Sequence, residues 1–188
     1  MARDIRRSIV ALLALTVLLG GAYPLVVWGI SQVAFKHQAD GSLVVRDGRV
    51  VGSTELAQAF TSNRYFHPRP SAADYNASAS AASNLGPNSA DLSKAVRDRM
   101  DAVVKSDGVD PAQVPVDLVT ASASGLDPDI SRDAALIQVD RVARARRLDP
   151  AKVRELVLSK IDQPTVGLLG ATRVNVLDLN LALDSLGQ

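Results

Sequence analysis

A chain of 188 residues has room for one ordinary domain and a short appendage, and a content of 47% hydrophobic and 22% charged residues belongs to a folded protein. Its 21 Lys and Arg against 20 Asp and Glu give a near-neutral balance, which excludes the clustered basic excess of a nucleic-acid binder. With no cysteine, disulfide scaffolds, thiolate zinc sites, iron–sulfur clusters and cysteine nucleophiles are excluded, while the compartment stays open.

Residues 8–35 carry no charge and residues 9–30 are almost wholly apolar. At about 1.5 Å per residue, such a run spans a hydrocarbon core about 30 Å thick. Arg3, Arg6, Arg7 and the small residues Gly20-Gly21-Ala22 would also suit a cleaved signal. The apolar run resumes, however, as Leu25-Val26-Val27-Trp28-Gly29-Ile30, and Tyr23 and Trp28 suit an aromatic belt, so a retained spanning helix is the expectation. Gly20, Gly21 and Pro24 are expected to weaken or kink it. Gly20, Gly21 and Gly29 are the predicted packing positions, with Ala14 stacked on Gly21 and Ala22 on Gly29 at seven-residue spacing; the competing reading is plain lipid-facing variety. Three arginines precede the span and only Lys36 and Arg46 follow closely, so the positive-inside rule puts residues 1–7 in the cytoplasm, 8–35 in the membrane and 36–188 outside.

Beyond the span the pattern is mixed. Leu43-Val44-Val45 and Arg49-Val50-Val51 flank Asp47-Gly48, a hairpin with a type I′ turn. A helix is expected from Ser53 to near Phe60. Residues 66–88 are rich in Pro, Ser, Ala and Asn, but Phe66, Tyr75 and Leu85 interrupt the polar residues, with Tyr65 just before them, so this segment is expected to be ordered against the domain or a partner rather than a free linker. Asn88 or Ser89 caps a helix with Leu92, Val96, Met100 and Val103 on its core face, ending at Asp107-Gly108. Ser131 caps a helical run through Ala134, Ile137, Val139 and Val142, and Asp149-Pro150 opens a helix carrying Val153, Leu156, Val157 and Ile161. The last segment satisfies both strand and helix periods; a short strand at Arg173-Val174 and a helix after Asn175 are preferred. The predicted fold is a single N-terminal transmembrane helix followed by one α+β domain.

No catalytic centre emerges from the residues. The two histidines, His37 and His67, have no nucleophile and carboxylate at recognisable spacing, and each reads as a surface residue. Asp117, Asp127 and Asp129 lack a metal-loop pattern and suit capping and turns. There is no Gly-rich loop with Lys for a nucleotide phosphate.

Three stretches nevertheless resemble the KdpC family, the C subunits of bacterial Kdp potassium-transporting P-type ATPases. They are Ser83-Asn84-Leu85-Gly86-Pro87, then Pro115-Val116-Asp117-Leu118-Val119-Thr120-Ala121-Ser122-Ala123-Ser124-Gly125-Leu126-Asp127-Pro128, and Arg173-Val174-Asn175-Val176-Leu177-Asp178-Leu179-Asn180-Leu181-Ala182-Leu183-Asp184. Tyr65-Phe66 with Arg69-Pro70-Ser71, and Gln138 with Arg141-Val142-Ala143, support it. The departures are Ala82 for the family's usual Gly and Leu56-Ala57 for its Ile-Gly.

The resemblance implies a non-catalytic subunit of a potassium-uptake complex in the bacterial cytoplasmic membrane. Its partners would be a channel-like potassium subunit, a P-type ATPase subunit, a small one-helix peptide and membrane lipid, with no nucleic acid. It also implies a catalytic chaperone that raises the ATP affinity of the pump subunit, with Ser122, Ser124, Gly125 and Gln138 as nucleotide-contact candidates; no cofactor or metal is otherwise expected, and ATP would come through the pump. An outward domain and cytoplasmic ATP are separated by the bilayer, so a second reading makes residues 122–128 a turn-rich connector and Gln138 a buried amide satisfying backbone groups. The alternative to a pump subunit is a free-standing, membrane-anchored extracytoplasmic binding module.

Overall fold

The computed structural model describes residues 1–164, 166–167 and 169–186. The chain forms two compact units, 1–43 and 44–188.

The first unit is helical. Helix α1 (Ala2–Val17) passes through a π-helical turn (Leu18–Ala22) into α2 (Tyr23–Ala34), a continuous run of 33 residues that is long and apolar enough to cross a membrane. The expected kink takes the form of this π turn. Pro24 has no N–H to give the carbonyl of Gly20, and the ladder there shifts to i→i+5 bonding, the Tyr23 N–H reaching the Leu18 carbonyl. A short helix α3 (Lys36–Ala39) follows.

The second unit is the α+β domain. Strands β1 (Leu43–Arg46) and β2 (Arg49–Ser53) form a two-stranded ribbon. Asp47 (φ 52°) and Gly48 (φ 73°) both take left-handed conformations, the pair a type I′ turn demands. The helix expected from Ser53 does not form. Ser53 ends β2, its hydroxyl accepts from the Glu55 N–H, and the next backbone groups go to distant partners: Ala57 N–H to Leu126 O (2.9 Å), and Thr54 O to Asn175 Nδ2 (2.8 Å). Tertiary bonds have replaced the helical ladder there.

Helix α4 (Ala90–Asp107) starts at Ser89, whose hydroxyl accepts from the Leu92 N–H, and stops at Gly108 in the left-handed region. Only Val103 of its predicted core face packs against the main core. Leu92, Val96 and Met100 stay half-buried, and its one buried residue is Asp107. Two 3₁₀ turns (Pro111–Gln113, Val116–Leu118) lead to β3 (Asp129–Ile130). Helices α5 (Arg132–Ile137), capped by Ser131, α6 (Val139–Arg146) and α7 (Pro150–Ser159), capped by Asp149, follow. Then come β4 (Ile161–Asp162), β5 (Arg173–Asn175) and α8 (Val176–Leu186). β5 is the middle strand of an antiparallel sheet, with Ile130 and Ile161 both opposite Val174. Phe66, Ala134, Val139, Val142, Val153, Val157, Val174, Leu179 and Leu183 are fully buried and make one core between α5–α8 and the sheet.

The run expected after Ser131 is broken at Gln138. In an uninterrupted helix its backbone N–H would bond the Ala134 carbonyl. Here the side-chain Nε2 takes that carbonyl (3.0 Å) and the backbone N–H falls back on Ala135 O (3.3 Å). The break is therefore set by the residue's own amide.

Candidate functional site

The irregular segment 61–81 crosses the domain with no helix or strand of its own, so its backbone groups need partners from elsewhere. The α5–α6 junction and helix α8 supply them. Asn180 accepts from the Phe66 N–H (2.8 Å) and donates to the Phe66 carbonyl (3.0 Å), and Gln138 does the same for His67, accepting from its N–H (2.7 Å) and donating to its carbonyl (3.2 Å). Two consecutive residues are thus held as a neighbouring β-strand would hold them.

Arg141 completes the clamp. Its Nη1 donates to the carbonyls of Asn63 (3.0 Å) and Tyr65 (2.9 Å), its Nη2 to Gln138 Oε1 (2.6 Å), and its Nε to Asp107 Oδ1 (2.7 Å) at the end of α4. Both charged side chains of this pair are buried. At the rim, Arg146 donates to Asp184 (2.7 Å) and to the Arg64 carbonyl (2.6 Å) and lies over the Tyr65 ring, 4.7 Å from its centroid.

Every hydrogen-bonding position of the Gln138 amide is consequently engaged: two donated bonds, to Ala134 and His67, and two accepted, from His67 and Arg141. The other sequence-predicted residues hold the same segment further along. Ser122 N–H donates to Pro70 O (3.1 Å), Gly125 O accepts from Ser71 Oγ (2.6 Å), and Ser124 O accepts from Ala81 N–H (3.0 Å) and Ser80 Oγ (3.0 Å). Gly125 has φ +70°, and a Cβ there would stand 2.7 Å from the Ala81 carbonyl oxygen. Its own N–H bonds Ser122 O (3.3 Å), and the Leu126 N–H bonds Ser124 Oγ (3.1 Å). Ser122, Ser124 and Gly125 form one turn, closed by the Gly125 N–H on Ser122 O, and each of Ser122, Ser124, Gly125 and Gln138 also bonds the 61–81 segment.

Arg141, Asn180 and Asp107 are functional parts of this clamp that the sequence reading did not single out by role. The available signal was a long polar residue inside an apolar helical pattern: Asn180 between Leu179 and Leu181, Arg141 between Val139 and Val142.

The remaining polar candidates are structural. Asp117 accepts from both the backbone and the hydroxyl of Ser131, ahead of α5. Asp127 accepts from Arg69 (2.8 Å) and from the Asp129 N–H, and Asp129 faces Asn175 and Arg173. Burial pushes the Asp129 carboxyl up, with Arg173 opposing. Among the described residues no group of three metal-binding side chains converges. His67 is half-buried with Nε2 3.1 Å from Ser62 O; burial and then the Arg141 charge lower its pKa. It lines a cleft with Phe60, Pro68, Tyr75, Arg99, Val103 and Gln138.

In the first unit, Gly20, Gly21 and Gly29 have open space where a Cβ would be. Gly29 lies in α2, whereas Gly21 and Ala22 are the last two residues of the π turn and Ala14 precedes it in α1. A groove on this helix is lined by Val10, Leu13, Ala14, Val17, Leu18 and Ala22. The extra residue in the π turn sets Ala22, rather than Gly21, in one groove with Ala14.

The model of the KdpC family, described as the c chain of the K+-transporting ATPase, matches residues 5–185. The chain is 55% identical to the potassium-transporting ATPase KdpC subunit of Sorangium cellulosum (strain So ce56) over 187 residues, covering 98% of each chain. It is 53% identical to that of Polaromonas naphthalenivorans (strain CJ2), covering 99% of this chain and 96% of the relative. It is 50% identical to that of Rhodopseudomonas palustris (strain TIE-1), covering 98% of both.

Proposed function

The chain belongs to the KdpC family of potassium-transporting ATPase c chains, and on that premise we propose that it is a non-catalytic, single-span subunit that assembles and stabilises the pump with its channel-like partner. In this reading the domain lies outside the membrane, docked on the channel-like subunit, and a small one-helix peptide completes the complex. The observation that carries it is the saturation of Gln138. An amide with all four positions bonded inside the protein has none left for a nucleotide, and the 122–125 segment bonds the backbone and serine hydroxyls of the neighbouring 70–81 segment. The residues that family resemblance nominates for ATP are, on this account, the fastening of a rigid irregular surface.

The family's ATP-affinity role is a competing account, and one substitution separates the two. Gln138→Ala leaves the His67 backbone and Arg141 with orphaned partners in the interior, at a cost of roughly 1–3 kcal/mol. The expected result is a lower thermal midpoint and poorer retention in the purified complex, with the ATP requirement of surviving complexes unchanged. A stable, fully assembled variant with a several-fold higher ATP requirement would place the amide on the nucleotide instead.

A further inference from the structure

The cleft between α4 and the irregular segment lies wholly within the 44–188 unit and has a volume of about 430 Å³, in the range of small-molecule pockets. Its walls are mostly apolar. Phe60, Pro68 and Pro70 come from the irregular chain, Ala102 and Val103 from α4, and Leu118 from the second 3₁₀ turn. The polar groups facing it are mostly committed. Both Asp107 oxygens are taken, by Arg141 Nε (2.7 Å) and by the Ser106 hydroxyl (2.7 Å), so that the Arg141–Asp107 pair cancels its own charge. The Gln138 amide is saturated, and the Tyr75 hydroxyl donates to the Arg69 carbonyl (2.8 Å). His67 spends Nε2 on the Ser62 carbonyl, so that nitrogen carries the hydrogen, and burial keeps the ring uncharged at neutral pH.

Arg99 is the exception. It is half-buried, and its guanidinium makes a single hydrogen bond, from Nη1 to the Val119 carbonyl (3.1 Å), with no carboxylate partner among the described residues. At the Tyr75 phenol its charge outweighs the opposing charge of Asp74, so this wall of the cleft keeps a positive potential. A cation partly withdrawn from water attracts an anion more strongly than an exposed one does. The remaining guanidinium donors form a fork suited to one planar carboxylate, and the phenyl and proline rings offer flat apolar surface to the body that carries it. A nucleotide's phosphates would call for several cations or a row of free backbone amides, and among the described residues lining the cleft Arg99 is the one uncompensated cation. We infer that this cleft binds a small aromatic monocarboxylate, with the carboxylate on Arg99 and the ring against the apolar walls. The inference rests on neither the membrane orientation nor the subunit role proposed above.

The probe is 4-fluorobenzoate, followed by fluorine NMR against the full-length chain in nanodiscs, alone and in the assembled complex, with empty nanodiscs as reference. The expected result is saturable binding at a single site per chain in both preparations, with the neutral 4-fluorobenzamide bound about tenfold more weakly or worse. Arg99→Gln should weaken benzoate binding by a similar factor, and Arg97→Gln, at an exposed position on the same helix, should leave it unchanged. Ala102→Trp, at an exposed position on the cleft wall, should abolish binding by filling the apolar part while every charge stays in place, which keeps the test decisive if Arg99→Gln does not fold. No saturable binding, equal affinity for the benzamide, or full affinity in Ala102→Trp would overturn the inference. So would displacement of the benzoate by equimolar ATP, which would make this a nucleotide cleft, or binding to the isolated chain that disappears on assembly, which would make a partner's side chain the occupant.

Discussion

Gln138 and Asn180 interrupt apolar helical faces, and the interruptions are where the domain's irregular half is fastened to its regular half. A buried amide is tolerated only when its donors and acceptors are all met, and a stretch without secondary structure offers unmet backbone groups in pairs. Each side chain therefore solves the other's problem: Asn180 at Phe66, Gln138 at His67. The polar residues were legible in the sequence, but their targets were not, because residues 66 and 180 are joined by no local pattern. The same clamp bears on His67. Burial, followed by the Arg141 charge, holds its imidazole below the usual histidine value, so the folded chain resists protonation more than the unfolded chain does. Between about pH 6.5 and the lower folded value the unfolded state binds more protons, and stability falls as pH falls through that window. Thermal melts from pH 7.5 to 5.5 should show a decline that is shallower in His67→Asn. An identical slope in the two proteins would remove His67 from the acid response.

At the scale of elements, what the sequence conveyed well were ends. Ser89, Ser131 and Asp149 cap their helices, Gly108 stops α4, and Asp47-Gly48 turns the ribbon, each by chemistry that acts within a few residues. What it conveyed poorly were interiors whose bonding is settled at long range, as in residues 54–60, where Leu126 and Asn175 take the backbone groups a helix would have used. The membrane helix lies between these cases. Pro24 and the glycines announced a disturbance, but its form as an i→i+5 turn decides which small residues share a face. With one extra residue wound in, Ala14 and Ala22 line a common groove and Gly21 is not among its lining residues. If a neighbouring helix uses that groove, Ala22→Leu should lower recovery of the intact complex from membranes more than Gly21→Leu does, because the larger side chain fills the groove itself. The reverse order of recovery would assign the close approach to the glycine pair.

At the scale of the whole molecule, a 33-residue apolar helix on a near-neutral domain ties function to sidedness, since nothing in a domain on one side of a bilayer touches a ligand held on the other. The flanks carry the argument for which side it is. Arg3, Arg6 and Arg7 precede the span, and the first basic residues beyond it are Lys36, paired with Asp40, and Arg46, paired with Asp184. Basic residues close to a short N-terminal flank resist translocation, whereas long folded segments cross largely irrespective of charge, so the proposed reading has the arginines hold the N-terminus inside and the α+β domain exported. A reporter fused after Gln188 should therefore be active only as an extracytoplasmic fusion: alkaline phosphatase active, a cytoplasm-dependent fluorescent protein dark. Replacing Arg3, Arg6 and Arg7 with Asn should shift a measurable fraction of the chains to the opposite sense, which tests the cause as well as the outcome. A cytoplasmic reporter signal from the unaltered chain would put the 61–81 surface and its clamp on the same side as ATP, and the role proposed for Gln138 would then have to be defended by its saturated hydrogen bonds alone.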